Sequence, residues 1–102
     1  MKIQIPNKIK IGGVWVSIIY EAKLLDNHGK YGQSRFAECE IAMEPKLEDD
    51  MKGQCLIHEL MHFLDKQYTN YSLEERETDA LATGLHALLV DMGVEFGWDN
   101  IS

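Results

Sequence analysis

The chain has 102 residues with 45% hydrophobic and 26% charged content, values typical of one globular domain spanning residues 1–102. Its net charge of −7 argues against a nucleic-acid partner, because such proteins usually carry a positive balance. No apolar stretch approaches the roughly 20 residues of a membrane span, and no signal-peptide core is present, so we expect a cytoplasmic protein without membrane contact.

The first predicted element is a β-hairpin around the dipeptide Gly12-Gly13. A tight turn between two strands requires positive φ angles, which glycine adopts without steric cost. Apolar residues alternate on both sides of the turn, namely Ile9, Ile11, Val14, Val16, Ile18 and Tyr20. The segment from Leu24 to Gly32 is interpreted as a polar loop in which His28 is a surface residue.

A third strand is predicted from Glu38 to Met43. It ends before Pro45, because proline cannot donate a hydrogen bond to a neighbouring strand. The predicted fold class is therefore α+β: a small antiparallel sheet, made of the hairpin and this edge strand, packs on two long helices.

The first long helix is predicted to begin between Leu47 and Asp50 and to run to about Tyr68. Acidic residues at its start suit the positive end of the helix dipole. Gly53 lies inside this helix, where glycine costs stability unless the backbone packs closely on a neighbour. The cost is mild and is tolerable if such packing exists at Gly53.

This helix contains the HExxH motif His58-Glu59-Leu60-Met61-His62 within an apolar run. Residues four apart lie on one helical face, so the two imidazoles converge on one point. Glu59 points about 100° away and can reach a metal-bound water without binding the metal itself. The motif predicts His58 and His62 as zinc ligands and Glu59 as a general base, whereas the alternative is two ordinary polar histidines on an amphipathic helix.

A second long helix is predicted from Leu73 to Met92, with Gly93 as its C-terminal cap. Its apolar stripe consists of Leu81, Leu85, Leu88 and Met92. The tail from Val94 to Ser102 is too short to classify.

A catalytic zinc keeps three protein ligands and one open position, so the two histidines need a third. The extended motif HExxHxxGxxH is excluded, because Asp65 and Tyr68 occupy its glycine and histidine positions. The second helix offers three candidate carboxylates, Glu74, Glu75 and Glu77.

Among these carboxylates we favour Glu75, because Asp79 follows one turn later on the same face. Glu75 would bind the zinc, while Asp79 would accept the N–H of a ligand histidine and fix its tautomer. Two alternatives stay open: Ser72 and Glu75 also fit a capping box, and Asp79 also fits a plain solvated position. His86 lies about 16 Å beyond Glu75 along the helix and is interpreted as a partly buried structural histidine.

The two cysteines, Cys39 and Cys55, do not form a CxxC pair, so neither a disulfide scaffold nor a structural zinc finger is supported. We expect reduced thiols. Cys55 precedes His58 by three residues and could share its helical face, but packing is the more ordinary role.

The order of these motifs resembles that of the small phage and prophage zinc metallopeptidases, which are similar to the ImmA/IrrE type of minimal zincin. The resemblance covers about Lys8 to Met92 and includes Leu56-Ile57-His58-Glu59-Leu60-Met61-His62 and Glu75-x-x-Thr78-Asp79-x-Leu81-Ala82-x-Gly84-Leu85. It implies a zincin-like core with His58, His62 and Glu75 as zinc ligands and Glu59 as the catalytic base.

The expected function is zinc-dependent hydrolysis of peptide bonds, with Zn²⁺ as cofactor and a peptide or protein as substrate. Glu59 would take a proton from the zinc-bound water and deliver it to the leaving amine. The strand from Glu38 to Met43 would line the cleft and pair with the substrate backbone. Tyr68 or Tyr71 could donate to the oxyanion.

Two other classes of function remain as alternatives. A non-catalytic zinc-binding regulatory or interaction protein would use the metal to stabilise a small core, but it would need four protein ligands and no base. A metal-free helical interaction module would need no zinc at all.

Overall fold

The computed structural model describes residues 1–102 and shows an α+β fold. In chain order its elements are β1 Lys2–Gln4, β2 Lys8–Ile11, β3 Val14–Tyr20, α1 Leu24–His28, β4 Gly32–Arg35, β5 Glu40–Met43, α2 Asp49–Leu64, α3 Glu75–Asp91 and β6 Glu95–Gly97. A π-helical turn, Asp65–Thr69, follows α2 directly. None of the helices combines the length and apolar composition that crossing a membrane would require.

The main sheet has four strands in the order β2-β3-β5-β4. The predicted hairpin is confirmed: β2 and β3 are antiparallel, and their turn residues Gly12 and Gly13 have φ angles of 57° and 81°. The predicted third strand is confirmed as β5. The strand lies inside the sheet, however, parallel to β3 and antiparallel to β4.

The expectation of an antiparallel sheet with this strand at its edge is therefore wrong. The chain between β3 and β5 contains α1 and β4, and this length allows it to return to the starting end of β3, as a parallel pair requires. The segment predicted as a loop thus contains a short helix and leads into β4, the true edge strand. The sequence of β4 has no β-branched or aromatic residue to reveal it.

A second, two-stranded sheet joins the two ends of the chain. β1 pairs with β6 in parallel, and the amino group of Met1 donates to the carbonyl oxygen of Gly93 at 2.7 Å. The residue after α3, Met92, is its C-terminal cap, and Gly93 follows with a φ angle of 89°, consistent with the predicted helix end. The short tail therefore holds the N-terminus against the end of α3.

The hydrophobic core lies between the main sheet and α2. Its buried members include Val16 and Ile18 of β3, Ile41 and Met43 of β5, and Leu56 and Phe63 of α2. Because the core-facing residues of α2 are apolar, the helix is fixed firmly, and the orientation of its other side chains follows from this packing.

α3 packs against α2 through small or polar side chains: Thr78, Ala82 and His86 are its buried residues. The backbone at Gly53 packs closely on α3, since a Cβ there would lie 2.8 Å from Nε2 of His86. His86 is buried and stacks on Phe96, in agreement with a structural role. The four residues of the apolar stripe predicted for α3 are exposed on its surface.

Candidate metal centre

His58 and His62 lie on the face of α2 that meets α3 near its N-terminal end. Their Nε2 atoms are 3.2 Å apart, and their ring centroids are separated by 4.8 Å. Both imidazoles are partly buried. The helical spacing of four residues therefore brings the two rings together as the motif predicts.

Glu75, the first residue of α3, brings a carboxylate to the two imidazoles. Its Oε1 lies 2.9 Å from Nε2 of His58, and its Oε2 lies 3.2 Å from Nε2 of His62. The side chain comes from a different helix, so the cluster depends on the packing of α3 against α2.

The helix cap explains why Glu75 is free to reach the histidines. The capping box of α3 is formed by Glu74 and Glu77, and the N–H of Glu74 donates to Oε1 of Glu77 at 2.8 Å. The alternative capping box of Ser72 and Glu75 is therefore wrong. Of the three candidate carboxylates, only Glu75 joins the histidine cluster.

Asp79 lies one turn after Glu75 and contacts the other nitrogen of His58. Its Oδ1 is 3.3 Å from Nδ1 of His58. A carboxylate in this position stabilises the tautomer with a proton on Nδ1 and leaves the Nε2 lone pair available for a metal. The geometry thus matches the predicted orienting role.

The three donor side chains fit a zinc ion. Their ligand atoms all lie within 4.8 Å of one another. A tetrahedral zinc with bonds of about 2.0–2.2 Å separates neighbouring ligand atoms by about 3.3 Å, close to the distances in this cluster. Two imidazoles and one carboxylate are also a donor set that zinc favours and that leaves one position open.

Glu59 is buried beside the cluster and is held by the edge strand. The hydroxyl of Ser34 in β4 donates to Oε1 of Glu59 at 2.8 Å and lies 3.1 Å from its main-chain oxygen. Only 8% of Glu59 is exposed, so this hydrogen bond restricts a carboxylate with little access to bulk water. Ser34 is not predictable from the sequence, because no fixed spacing links an edge-strand serine to the motif.

The close approach of β4 to α2 requires glycine at position 32. A Cβ at Gly32 would lie 2.5 Å from Sγ of Cys55 and 3.2 Å from Cγ of Glu59. The far end of β4 is fixed by Arg35, which forms ion pairs with Glu21 at 2.7 Å and with Glu40 at 2.9 Å. These hydrogen-bonded carboxylates raise the pKa of the Arg35 guanidinium. Both ends of β4 are thus held beside the cluster.

A cleft of about 670 Å³ opens between β4 and the two long helices. Its walls include Gln33 of β4 and Tyr31 just before this strand. They also include Met51 and Gln54 of α2 and the histidine cluster. The strand β5 does not line this cleft, so the expectation that Glu38 to Met43 would pair with a substrate is wrong. Both edges of β5 are already paired within the sheet.

Tyr68 and Tyr71 do not line the cleft either. Tyr68 is exposed in the π-helical turn, and the ring of Tyr71 packs edge-on against Phe36 with centroids 6.0 Å apart. Neither tyrosine of the segment between α2 and α3 therefore reaches the site.

Cys55 lies in the wall of the cleft but stays outside the group of potential metal ligands. Burial raises the pKa of its thiol to about 12, and the charge of Glu59 adds to the effect. A neutral thiol is a poor metal ligand, which supports a packing role. Cys39 and Cys55 are both free, as expected.

Comparison of the chain with protein-family models, with curated proteins and with solved structures found no match. The interpretation of the site therefore depends on its own geometry and chemistry.

Proposed function

We propose that this protein is a zinc-dependent peptidase of the minimal zincin type. The observation that carries the proposal is the convergence of His58, His62 and Glu75 on one point, with the Glu59 carboxylate beside them and an open cleft in front. Three ligands and an adjacent base are the composition of a catalytic zinc site, whereas a structural site would be closed by a fourth protein ligand.

His58, His62 and Glu75 would hold the metal. A zinc ion bound there would lower the pKa of a coordinated water and polarise a substrate carbonyl. Asp79 would keep His58 in the tautomer that presents Nε2 to the metal, because its carboxylate lies 3.3 Å from Nδ1. The ligands would thus be orientated before any substrate arrives.

Glu59 would move the proton in this reaction. Its carboxylate would accept a proton from the attacking water and later deliver it to the leaving amine nitrogen. The hydrogen bond from Ser34 occupies Oε1 of Glu59 and so directs the other oxygen, Oε2, to the proton transfer. Burial of the carboxylate would strengthen its interaction with a nearby positive charge.

The substrate would bind along β4. This strand forms one edge of the main sheet, and it lines the cleft beside the cluster. An extended peptide can add to such an edge through main-chain hydrogen bonds, which bind a backbone without selecting side chains. The sequence predicted this substrate-binding role for the strand from Glu38 to Met43, and we now propose it for β4.

A reducing, cytoplasmic location is part of the proposal. It is supported by the two unpaired cysteines, which would be at risk of oxidation in an extracellular setting. The phage-type zincin resemblance supports the same class of enzyme, since its implied ligands are the three residues that meet in the fold.

The decisive variant is Glu59→Gln, which keeps the shape of the side chain but cannot accept a proton. Zinc-loaded wild-type protein should cleave an unfolded, fluorescently labelled casein, and the variant should retain zinc but lose at least about 100-fold in rate. Glu77→Gln serves as a control, because Glu77 belongs to the helix cap. Equal rates in wild type and Glu59→Gln would refute catalysis, and a zinc-loaded but inactive wild type would favour a non-catalytic zinc protein.

A further inference from the structure

The outer face of α3 carries an apolar stripe without a partner in the chain. The four residues of this leucine stripe, Leu81, Leu85, Leu88 and Met92, are 51%, 41%, 56% and 68% exposed. The residues of α3 that pack on α2, Thr78, Ala82 and His86, lie on a neighbouring face, about 90° around the helix. Apolar side chains in a continuous row on a helix normally mark a surface that is buried against another element.

The stripe also lacks charge, in a chain with a net charge of −7. Between Asp79 and Asp91 the sequence of α3 contains no Asp, Glu, Lys or Arg. Small residues lie next to the stripe, and a Cβ at Gly84 would have no neighbour within 4 Å. This face can therefore be approached closely by another backbone, without the like-charge repulsion that the rest of the surface imposes on a second copy.

We infer that the leucine stripe is the interface of a homodimer in which α3 packs against α3 of a second copy. Its residues are spaced four, three and four apart, which is the spacing of the seam between two paired helices. A two-fold axis lets such a self-complementary stripe bury itself completely.

An antiparallel arrangement is the better of the two possible orientations. Opposed helix dipoles attract each other, and the acidic first turns of the two helices, with Glu75 and Glu77, lie far apart. In this arrangement Leu85 packs on Leu88 of the second copy, and Leu81 packs on Met92 of the second copy. The clefts remain open, because Glu75 and Asp79 face α2 rather than the dimer axis.

The available area suits a weak, specific dimer. The four stripe residues expose on the order of 400 Å² per copy. About 800 Å² would then be buried in total, which is at the low end for an interface and fits a weak, transient dimer. We expect a dissociation constant in the micromolar range.

Sedimentation equilibrium of the full zinc-loaded chain, between about 5 and 500 μM, tests the inference. Wild type should form a dimer, and Leu85→Glu should raise the dissociation constant by at least about 30-fold, because a charge would be buried in the seam. Leu64→Glu is the matched control, since Leu64 of α2 is 40% exposed and lies outside the stripe. Because the two leucines are exposed to nearly the same extent, 41% for Leu85 and 40% for Leu64, both variants should stay folded, which circular dichroism would verify.

Two double variants test the orientation. In an antiparallel pair, Leu85→Glu with Leu88→Lys places opposite charges together, and Leu85→Glu with Leu88→Glu places like charges together. The first double variant should dimerise at least about 10-fold more tightly than the second. Equal affinities would overturn the antiparallel arrangement. A monomeric wild type at 500 μM (roughly 500 times a dissociation constant of 1 μM) would overturn the dimer and assign the stripe to another partner. Equal loss of dimer in Leu64→Glu and Leu85→Glu would overturn it as well.

Discussion

The hydroxyl of Ser34 donates a hydrogen bond of 2.8 Å to the carboxylate of Glu59, across the boundary between the sheet and α2. The two residues belong to different layers of the fold and are 25 positions apart in the chain. The contact links the strand proposed to bind substrate with the residue proposed to move the proton. A change in one therefore affects the other.

Ser34→Ala should lower kcat by about 10-fold and leave KM nearly unchanged, because a charge-assisted hydrogen bond would be lost while the backbone of β4 is kept. Ser34→Thr retains the hydroxyl and should recover most of the rate. Steady-state kinetics with a fluorogenic peptide measures both. If Ser34→Ala instead raises KM and leaves kcat unchanged, the serine acts in substrate binding.

Zinc affinity should follow the distances in the cluster. Asp79→Ala should weaken zinc binding by roughly 10–100-fold, as the loss of a carboxylate behind a ligand histidine does, and Glu75→Ala should weaken it further. Glu77→Gln keeps a side-chain oxygen that can accept from the N–H of Glu74, so it preserves the helix cap and should leave zinc affinity unchanged. Competition with a chromophoric chelator measures the zinc affinity of all three variants. An equal loss of zinc affinity in the three would reject Glu75 as the ligand.

Alanine substitution at the glycine of α2 and at the glycine of α3 should change the free energy of unfolding in opposite directions. Gly53→Ala should destabilise the fold by about 1–3 kcal/mol, because the new methyl group would press against His86 and Phe96. Gly84→Ala should stabilise it by up to about 1 kcal/mol, since open space surrounds this position and alanine favours the helix. Urea unfolding at low protein concentration compares them, and a stabilising Gly53→Ala would contradict the close helix contact.

The raised pKa of Cys55 predicts a loss of stability at alkaline pH. The folded-state pKa of about 12 lies above the ordinary pKa of a cysteine thiol, 9.0, so the thiol of the unfolded chain ionises first. The contribution is complete below about pH 9 and is lost as the pH rises toward 12. Cys55→Ala should therefore flatten the fall in the free energy of unfolding between pH 9 and pH 11, relative to wild type. Identical slopes would show that the thiol is not buried.

The sequence predicts the parts of the fold that depend on local signals. Glycines at a turn reveal the hairpin, and the HExxH spacing together with the acidic start of α3 indicates the histidine cluster. The parts of the fold that the sequence does not predict depend on contacts between residues far apart in the chain. β1 and β6 are three residues each and pair across the whole chain, so neither shows a periodic pattern.

The site shows the same division between local and distant information. The orientation of His58 and His62 follows from helical geometry alone. The position of Ser34 depends on how β4 folds back beside β5, and nothing in the residues Gly-Gln-Ser-Arg encodes that path. The face that α3 turns inward also escapes prediction, because small residues allow close helix packing and leave the leucines outside.

X-ray absorption at the zinc edge tests the central claim most directly, since it reports the atoms bound to the metal in the 1:1 zinc complex. We expect two imidazole nitrogens and about two oxygens at about 2.0–2.2 Å, from His58, His62, Glu75 and water. The imidazole signal should be lost in the double variant that carries His58→Ala and His62→Ala. Failure to bind one zinc per chain, or a sulfur ligand at about 2.3 Å, would contradict the proposed centre.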